Sequence, residues 1–254
     1  MRQGSSCRKM YQALAKIYDQ VMTRVDYSAW ADFVWQAHSM LSLPFPKRAL
    51  DLASGTGSVA LEMAKLGADV LAIDQSMSML ELGKERGKTL GLLEKIRFQQ
   101  ADLESWQGPK ESFDFAWCAC DGLNYLCKAG IAHLLEELAA LLAPDSLFIF
   151  DLNTPFKYRE IFANNVFAEN FPDFSYIWEN ELQENSCHFK LTIFLKEGQL
   201  FRRYQEHHIQ YIYSLEEMAE LIADFGFSWR GVFDSYSWRE PVMETERWTI
   251  IAQR

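Results

Sequence analysis

The chain has 254 residues, 49% of them hydrophobic, and a formal charge of −10 from 35 acidic against 25 basic side chains. This length suits one large α/β domain or one domain carrying an insertion, with ample material for a core. The acidic balance, with no cluster of Lys and Arg, argues against nucleic acid as a partner. No apolar run approaches the roughly 20 residues of a membrane span, and Arg8-Lys9 is followed by a pattern that Gln12, Lys16, Asp19 and Gln20 interrupt, so no membrane partner is expected and the expected location is cytoplasmic.

Two helices are expected first, over 11–25 and 26–41, closed by Pro44 and Pro46 and placed to cover a crevice. From Arg48 onward short apolar runs alternate with helical patterns, the mark of a parallel sheet with helices on both faces. Strands are expected over 49–53, 70–73, 96–100, 113–119 and 147–152. Between them Val59, Met63 and Leu66 form one helical stripe before Gly67, and Ser76 caps a helix carrying Met79, Leu80 and Leu82. Ile131, Leu134, Leu135, Leu138 and Leu142 form another stripe, stopping at Pro144.

After Asp151 the alternation breaks. Phe174, Tyr176 and Trp178 alternate in one strand and Phe189, Leu191, Ile193 and Leu195 in the next; Glu197-Gly198 turns the chain into a third strand over 200–213. This reads as an antiparallel sheet inserted into the main domain, dividing the chain into 1–154, 155–213 and 214–254. Ser214 and Glu217 then form a capping box for a helix running to Gly226, and strands over 229–233 and 247–252 complete the main sheet.

The chemistry concentrates at Asp51-Leu52-Ala53-Ser54-Gly55-Thr56-Gly57, where a strand runs into a glycine turn and a helix follows. Such a turn brings bare backbone against a ligand, and Asp74, ending the next apolar run, stands where a second parallel strand offers an acid to ribose hydroxyls. Gly55 to Ala60 also satisfies the dinucleotide pattern GxGxxA, so an NAD(P)-linked oxidoreductase is one reading. Asp51 before the glycines, a third strand ending in Asp102-Leu103 and a fourth leading into Asp121-Gly122-Leu123-Asn124-Tyr125 favour S-adenosylmethionine instead.

On these residues the chain resembles the class I S-adenosylmethionine-dependent methyltransferases over nearly its whole length. The loop Asp51 to Gly57, the Ile73-Asp74 strand end, Asp102-Leu103 and Phe113-Asp114 carry the resemblance, with Ala53 where the family's first glycine often stands. The insertion, with Tyr11 and Tyr18-Asp19, is similar to a bacterial small-molecule subgroup that includes sugar-amine N-methyltransferases. The resemblance implies an α/β, Rossmann-like fold: a seven-stranded, mostly parallel sheet with helices on both faces, plus a small antiparallel β insertion after the fifth strand. It gives Ala53, Ser54 and Gly55 to the methionyl part of the cofactor, with Gly57 closing the loop. Asp74 would take the ribose hydroxyls, Gln75 and Met79 the adenine pocket, Asp102 the exocyclic amine, with Leu103 and Tyr11 also at the cofactor. Asp74 equally suits a helix-capping acid, Asp102 a surface turn and Met79 a core position.

The implied reaction moves a methyl group to nitrogen or oxygen of a small molecule by direct in-line displacement, where alignment carries most of the catalysis. Asp121, Asn124 and His208 are the expected catalytic residues, with His207 and Glu179 as further candidates for a proton acceptor or substrate contact. His207 and His208 must face opposite ways on a strand, so at most one lines a cleft. Cys118 and Cys120 read as packed thiols, and the five cysteines show no zinc spacing, so no metal is expected. The aromatics of the insertion fit a half-buried sheet, a cage for a small substrate or a homodimer surface. A cofactor-binding regulator without catalysis remains a further alternative.

Overall fold

The computed structural model describes residue 11, residues 13–109 and residues 112–254. Cys7, Arg8 and Lys9 lie outside the described residues. Two helices lead the chain, α1 (Ala15–Val21) and α2 (Tyr27–Met40), the latter capped by Asp26, whose side chain accepts from the Ala29 N–H. The alternating part follows as β1 (Arg48–Leu52), α3 (Ser58–Lys65), β2 (Asp69–Asp74), α4 (Met77–Thr89), β3 (Ile96–Gln100), β4 (Phe113–Cys118), α5 (Lys128–Leu141) and β5 (Leu142–Asn153). The antiparallel excursion comprises β6 (Val166–Asn170), β7 (Phe174–Leu182), β8 (Ser186–Glu197) and β9 (Leu200–Tyr211); α6 (Leu215–Asp224), β10 (Ser228–Asp234) and β11 (Arg247–Gln253) then return to the main sheet.

The main sheet has the order β10-β11-β5-β4-β1-β2-β3. β1, β2, β3, β4 and β5 run parallel, whereas β11 pairs antiparallel with both β5 and β10. Strand period decides the two faces. Leu50, Leu52, Leu71, Ile73, Phe148 and Phe150 pack with α5 and α6, while Ala49, Val70, Ala72, Leu147 and Ile149 pack with α2 and α3. The second sheet, β6-β7-β8-β9, buries Phe174, Tyr176, Leu191, Ile193 and Leu195 against Ala13 and Ile17 of the N-terminal segment.

The expected architecture stands, with local differences. Leu66 is 46% exposed and Leu82 36%, so those stripes are narrower than the sequence suggests. α5 ends at Leu141 and passes straight into β5, which starts at Leu142 and runs through Pro144. A single wide turn at Lys157–Phe162 and the strand β6 precede the expected excursion; every residue of β6 is exposed, so it carries no alternation to read.

Candidate active site

The order reverses between β1 and β4, because β1 continues to β2 on one side while β4 continues to β5 on the other. Loops leaving the carboxyl ends of these strands diverge there and leave a crevice. A cavity of about 520 Å3 fills it, lined from one side by Ala53, Gly55, Asp74 and Asp102 and from the other by Cys120, Gly122 and Tyr125. Tyr11 and Tyr18 close it from the N-terminal segment, and His207 and Tyr211 reach it from β9.

The glycine loop is shaped by three left-handed residues, Ala53 (φ 53°), Gly55 (φ 55°) and Gly57 (φ 70°). A Cβ on Gly57 would stand 3.0 Å from the Phe98 ring, whereas one on Gly55 would meet nothing within 4 Å, so Gly55 is selected by backbone angle and leaves the cavity open. The loop is tied to β2 at two points: the Ser54 N–H donates to the Ile73 carbonyl at 2.8 Å and the Gly55 N–H to Asp74 Oδ2 at 2.8 Å. Asp74 Oδ1 accepts from the Ser76 N–H at 2.7 Å, and Ser76 in turn caps α4. Burial raises the Asp74 carboxyl above its ordinary value, although both backbone bonds pull the other way.

A narrower cleft continues from the cavity beneath the loop, sharing Tyr18, Ala53, Gly55 and Cys120 and adding Asp51, Ser54 and Thr56. Asp51 is pushed up to about 8 by burial, against the bond from the Ala60 N–H to its Oδ2 at 3.0 Å. Ser54 Oγ is buried without a hydrogen-bond partner among the described residues. The cleft therefore offers an acid and an open hydroxyl to a polar ligand end.

Opposite the loop, Cys120 (φ 55°) and Asp121 (φ 53°) are consecutive non-glycine residues in the left-handed region, a costly arrangement that surrounding bonds must enforce. Asp151, fully buried near the end of β5, accepts the Cys120 N–H at 2.9 Å, the Asp121 N–H at 2.5 Å and the Tyr236 hydroxyl at 2.6 Å. Arg247 donates to both Asp151 Oδ1 and Asp121 Oδ1, the latter at 2.8 Å. Burial disfavours the guanidinium charge, but Asp151 and Asp121 outweigh it and raise the Arg247 value well above the ordinary one.

Several expected site residues meet at the cavity: Tyr11, Ala53, Gly55, Asp74, Gln75, Met79, Asp102 and Leu103 all line it. Ser54 lies in the adjoining cleft, and Gly57 shapes the turn without lining either space. Asp102 sits two residues past the end of β3 rather than on it, and its Oδ1 accepts the Glu104 N–H. The expected catalytic residues are placed differently. Asp121 is not in the cavity wall, because its oxygens are held by Arg247 and by Gln210 Nε2 at 2.6 Å. Asn124 is wholly buried and uses its amide on the Tyr211 carbonyl and the Asn153 N–H. His208 turns away from the cavity while His207 faces it, as opposite strand faces demand. Glu179 forms a surface ion pair with Lys190 at 3.2 Å.

Sequence reasoning missed Arg247 and Asp151, which stand near the ends of antiparallel neighbours and meet only through register, Arg247 opposite Asn153 and Thr249 opposite Asp151. It also missed Glu206. This buried acid of β9 accepts the backbone N–H groups of Tyr11 (3.1 Å), Ala13 (2.8 Å) and Leu14 (3.2 Å), while Asp19 at the far side of the segment accepts the Thr56 hydroxyl at 2.7 Å. The N-terminal segment thus spans the cavity from the second sheet to the glycine loop.

A family model described as a methyltransferase domain matches residues 49–145. A relative from Bacillus subtilis, the putative methyltransferase YqeM, is 31% identical over 248 residues, covering 96% of this chain and 97% of its own. Among solved structures, an S-adenosylmethionine-dependent methyltransferase from Clostridium acetobutylicum superposes with a TM-score of 0.86 at 26% identity, covering 96% of this chain and 98% of that one. CalS10, an amino pentose methyltransferase from Micromonospora echinaspora solved with S-adenosylmethionine bound, shares the fold with a TM-score of 0.71 at 16% identity and covers 94% of this chain and 96% of its own.

Proposed function

This chain belongs to the S-adenosylmethionine-dependent methyltransferase family, and within it we propose that the enzyme methylates nitrogen or oxygen of a small molecule by direct in-line displacement. Membership sets aside the oxidoreductase that GxGxxA alone allows. S-adenosylmethionine is the cofactor; when bound it supplies a methyl group on a cationic sulfur, which a nucleophile can displace. The residues present suit it: a carboxylate at the tip of β2, an open left-handed loop, and a side cleft with an acid and an unpaired hydroxyl.

In this reading Asp74 takes the ribose hydroxyls, each charge-assisted bond contributing roughly 1.5–3 kcal/mol. Gln75, Met79 and Leu103 border the adenine and Asp102 its exocyclic amine. Ala53, Ser54 and Gly55, with Asp51 beneath them, hold the amino-acid end in the cleft. Asp121 and Asn124 act as positioning residues for the turn that carries Cys120 and Tyr125. Tyr11 and Tyr18 exclude water from above, and His207, on the cavity wall, is better placed than His208 to accept a proton from the nucleophile.

The observation that carries this reading is the Asp74 carboxylate in the wall of a 520 Å3 cavity at the β1/β4 reversal. Titration calorimetry with S-adenosylmethionine, its demethylated product and NAD tests it. Saturable binding of the first two and none of NAD is expected, and Asp74→Asn should weaken binding about tenfold or more, with only the modest fall in melting expected from losing one of the two backbone bonds. Products from an amine and alcohol library then show which atom carries the new methyl; methylation confined to carbon would overturn the acceptor class. The wholly exposed edge strand β6 supports pairing with a second copy of the chain, which sedimentation would reveal as a dimer.

A further inference from the structure

Behind Tyr125 lies a second, smaller chamber of about 50 Å3, and Tyr125 forms part of the wall of both spaces. Leu14 comes to it from the N-terminal segment, and Tyr176, Trp178, Phe189 and Leu191 from the second sheet, so the lining is almost wholly apolar. Besides the two tyrosines, two residues of the lining carry polar ring nitrogens. Trp178 Nε1 is buried with no hydrogen-bond partner among the described residues. His208 is 4% exposed; its Nε2 lies 3.3 Å from Glu206 Oε2, but neither ring nitrogen makes a well-formed hydrogen bond to a described residue.

Unpaired buried N–H groups are uncommon because each costs free energy; in the same sheet Glu206 accepts three backbone N–H groups and Gln210 pairs with Tyr158 and Asp121, while Asn180 Oδ1 is the one further buried side-chain atom there without a partner among the described residues. Apolar walls with a few convergent polar groups are the usual make-up of a ligand pocket. The indole can only donate, whereas a neutral imidazole both donates and accepts. A hydroxyl is the group whose oxygen could accept from an indole while its proton goes to a neutral imidazole. A cavity of about 150 Å3 accommodates benzene, so this smaller hollow takes a branched alkyl group or one edge of a ring.

We propose that the chamber is the specificity subsite for the methyl acceptor and takes a small apolar group bearing one hydroxyl, held between Trp178 and His208. The nucleophilic atom of the same molecule then extends past Tyr125 into the larger cavity, a step that rests on that cavity being the methyl-transfer site. His208 is therefore a recognition residue, and its place on the face opposite His207 is what puts it there.

Phenol and toluene, which differ by the hydroxyl, serve as probes of the intact chain saturated with demethylated cofactor. The indole N–H resonance of Trp178 is assigned in a nitrogen-15 spectrum by its loss in Trp178→Phe. Phenol should move that resonance saturably and toluene far less, and Trp178→Phe and His208→Gln should each weaken phenol binding about tenfold. Cofactor-product affinity should stay within about twofold in Trp178→Phe, because Trp178 does not line the larger cavity. An unmoved resonance, native phenol affinity in both variants, or a hollow filled only by water would overturn the subsite. Failure of the native chain to bind the demethylated cofactor would instead sink the cofactor-site reading, and the phenol titration of the free chain still reports on the chamber separately.

Discussion

Asp51 shows how burial sets the charge of this site before any ligand arrives. Its carboxyl is pushed up to about 8, mainly by desolvation, with the neighbouring Asp74 adding to the rise, whereas the unfolded chain releases that proton near pH 4. Between these values the native state binds the extra proton, so stability declines as pH rises from about 4 to about 8, by at most roughly 1.4 kcal/mol per pH unit from this group. Chemical denaturation of the cofactor-free chain across that window should show the slope, and Asp51→Asn should flatten it; parallel curves for the two proteins would refute the assignment. Arg247 makes the complementary case. Removing it in Arg247→Met leaves Asp151 and Asp121 facing each other around a turn built from two left-handed residues, and a loss of about 3–5 kcal/mol is expected in the same measurement. The residue types at the cofactor loop were readable because chain order alone places Gly55 after β1 and Asp74 at the end of β2. Arg247 and Asp151 were not, since 96 residues separate partners that meet side by side.

Among the elements, the N-terminal segment is anchored over the cavity at both ends, by Glu206 and by the Asp19–Thr56 bond. Three backbone N–H groups at its start converge on one buried carboxylate, and burial opposes the Glu206 charge while His208 and these donors restore it and leave its value lowered. Glu206→Ala removes the acceptor and leaves those donors without it, costing on the order of 1–3 kcal/mol locally. Amide exchange over residues 13–21 should then rise, and dissociation of the demethylated cofactor should quicken about tenfold; unchanged exchange would mean that the apolar packing of Ala13 and Ile17 and the Asp19–Thr56 bond hold the segment down without Glu206. Helix ends followed local chemistry closely, as at Ser76 and in the Ser214–Glu217 capping box, because caps depend on residues three apart. The α5–β5 passage and β6 were not legible. Leu142 continues the helical stripe of α5 yet starts a strand, and β6 gains its pairing only from β7.

On the scale of the whole molecule, segments following β1, β2 and β4 and residues of β9 meet at one cavity, so a ligand filling it would couple the parallel sheet to the antiparallel one. A ligand at one hundred times its dissociation constant adds about 2.7 kcal/mol, and melting should rise by roughly 5–10 °C with the demethylated cofactor and not with NAD. A flat response to both would remove the cavity as a cofactor site. The alternation of strand and helix, the glycine loop and the acid after β2 determine the fold and the place of a nucleotide-type ligand from sequence alone, because parallel βα units place their ligand at strand ends whatever else surrounds them; Asp51, Asp102-Leu103 and the segment 121–125 were needed to prefer S-adenosylmethionine over NAD. Which of His207 and His208 faces the larger cavity, which acids are tied into the Arg247 bridge and which aromatics wall the second chamber were decided only in three dimensions. Each depends on how the second sheet lies against the N-terminal segment, and no local period of the chain encodes that packing.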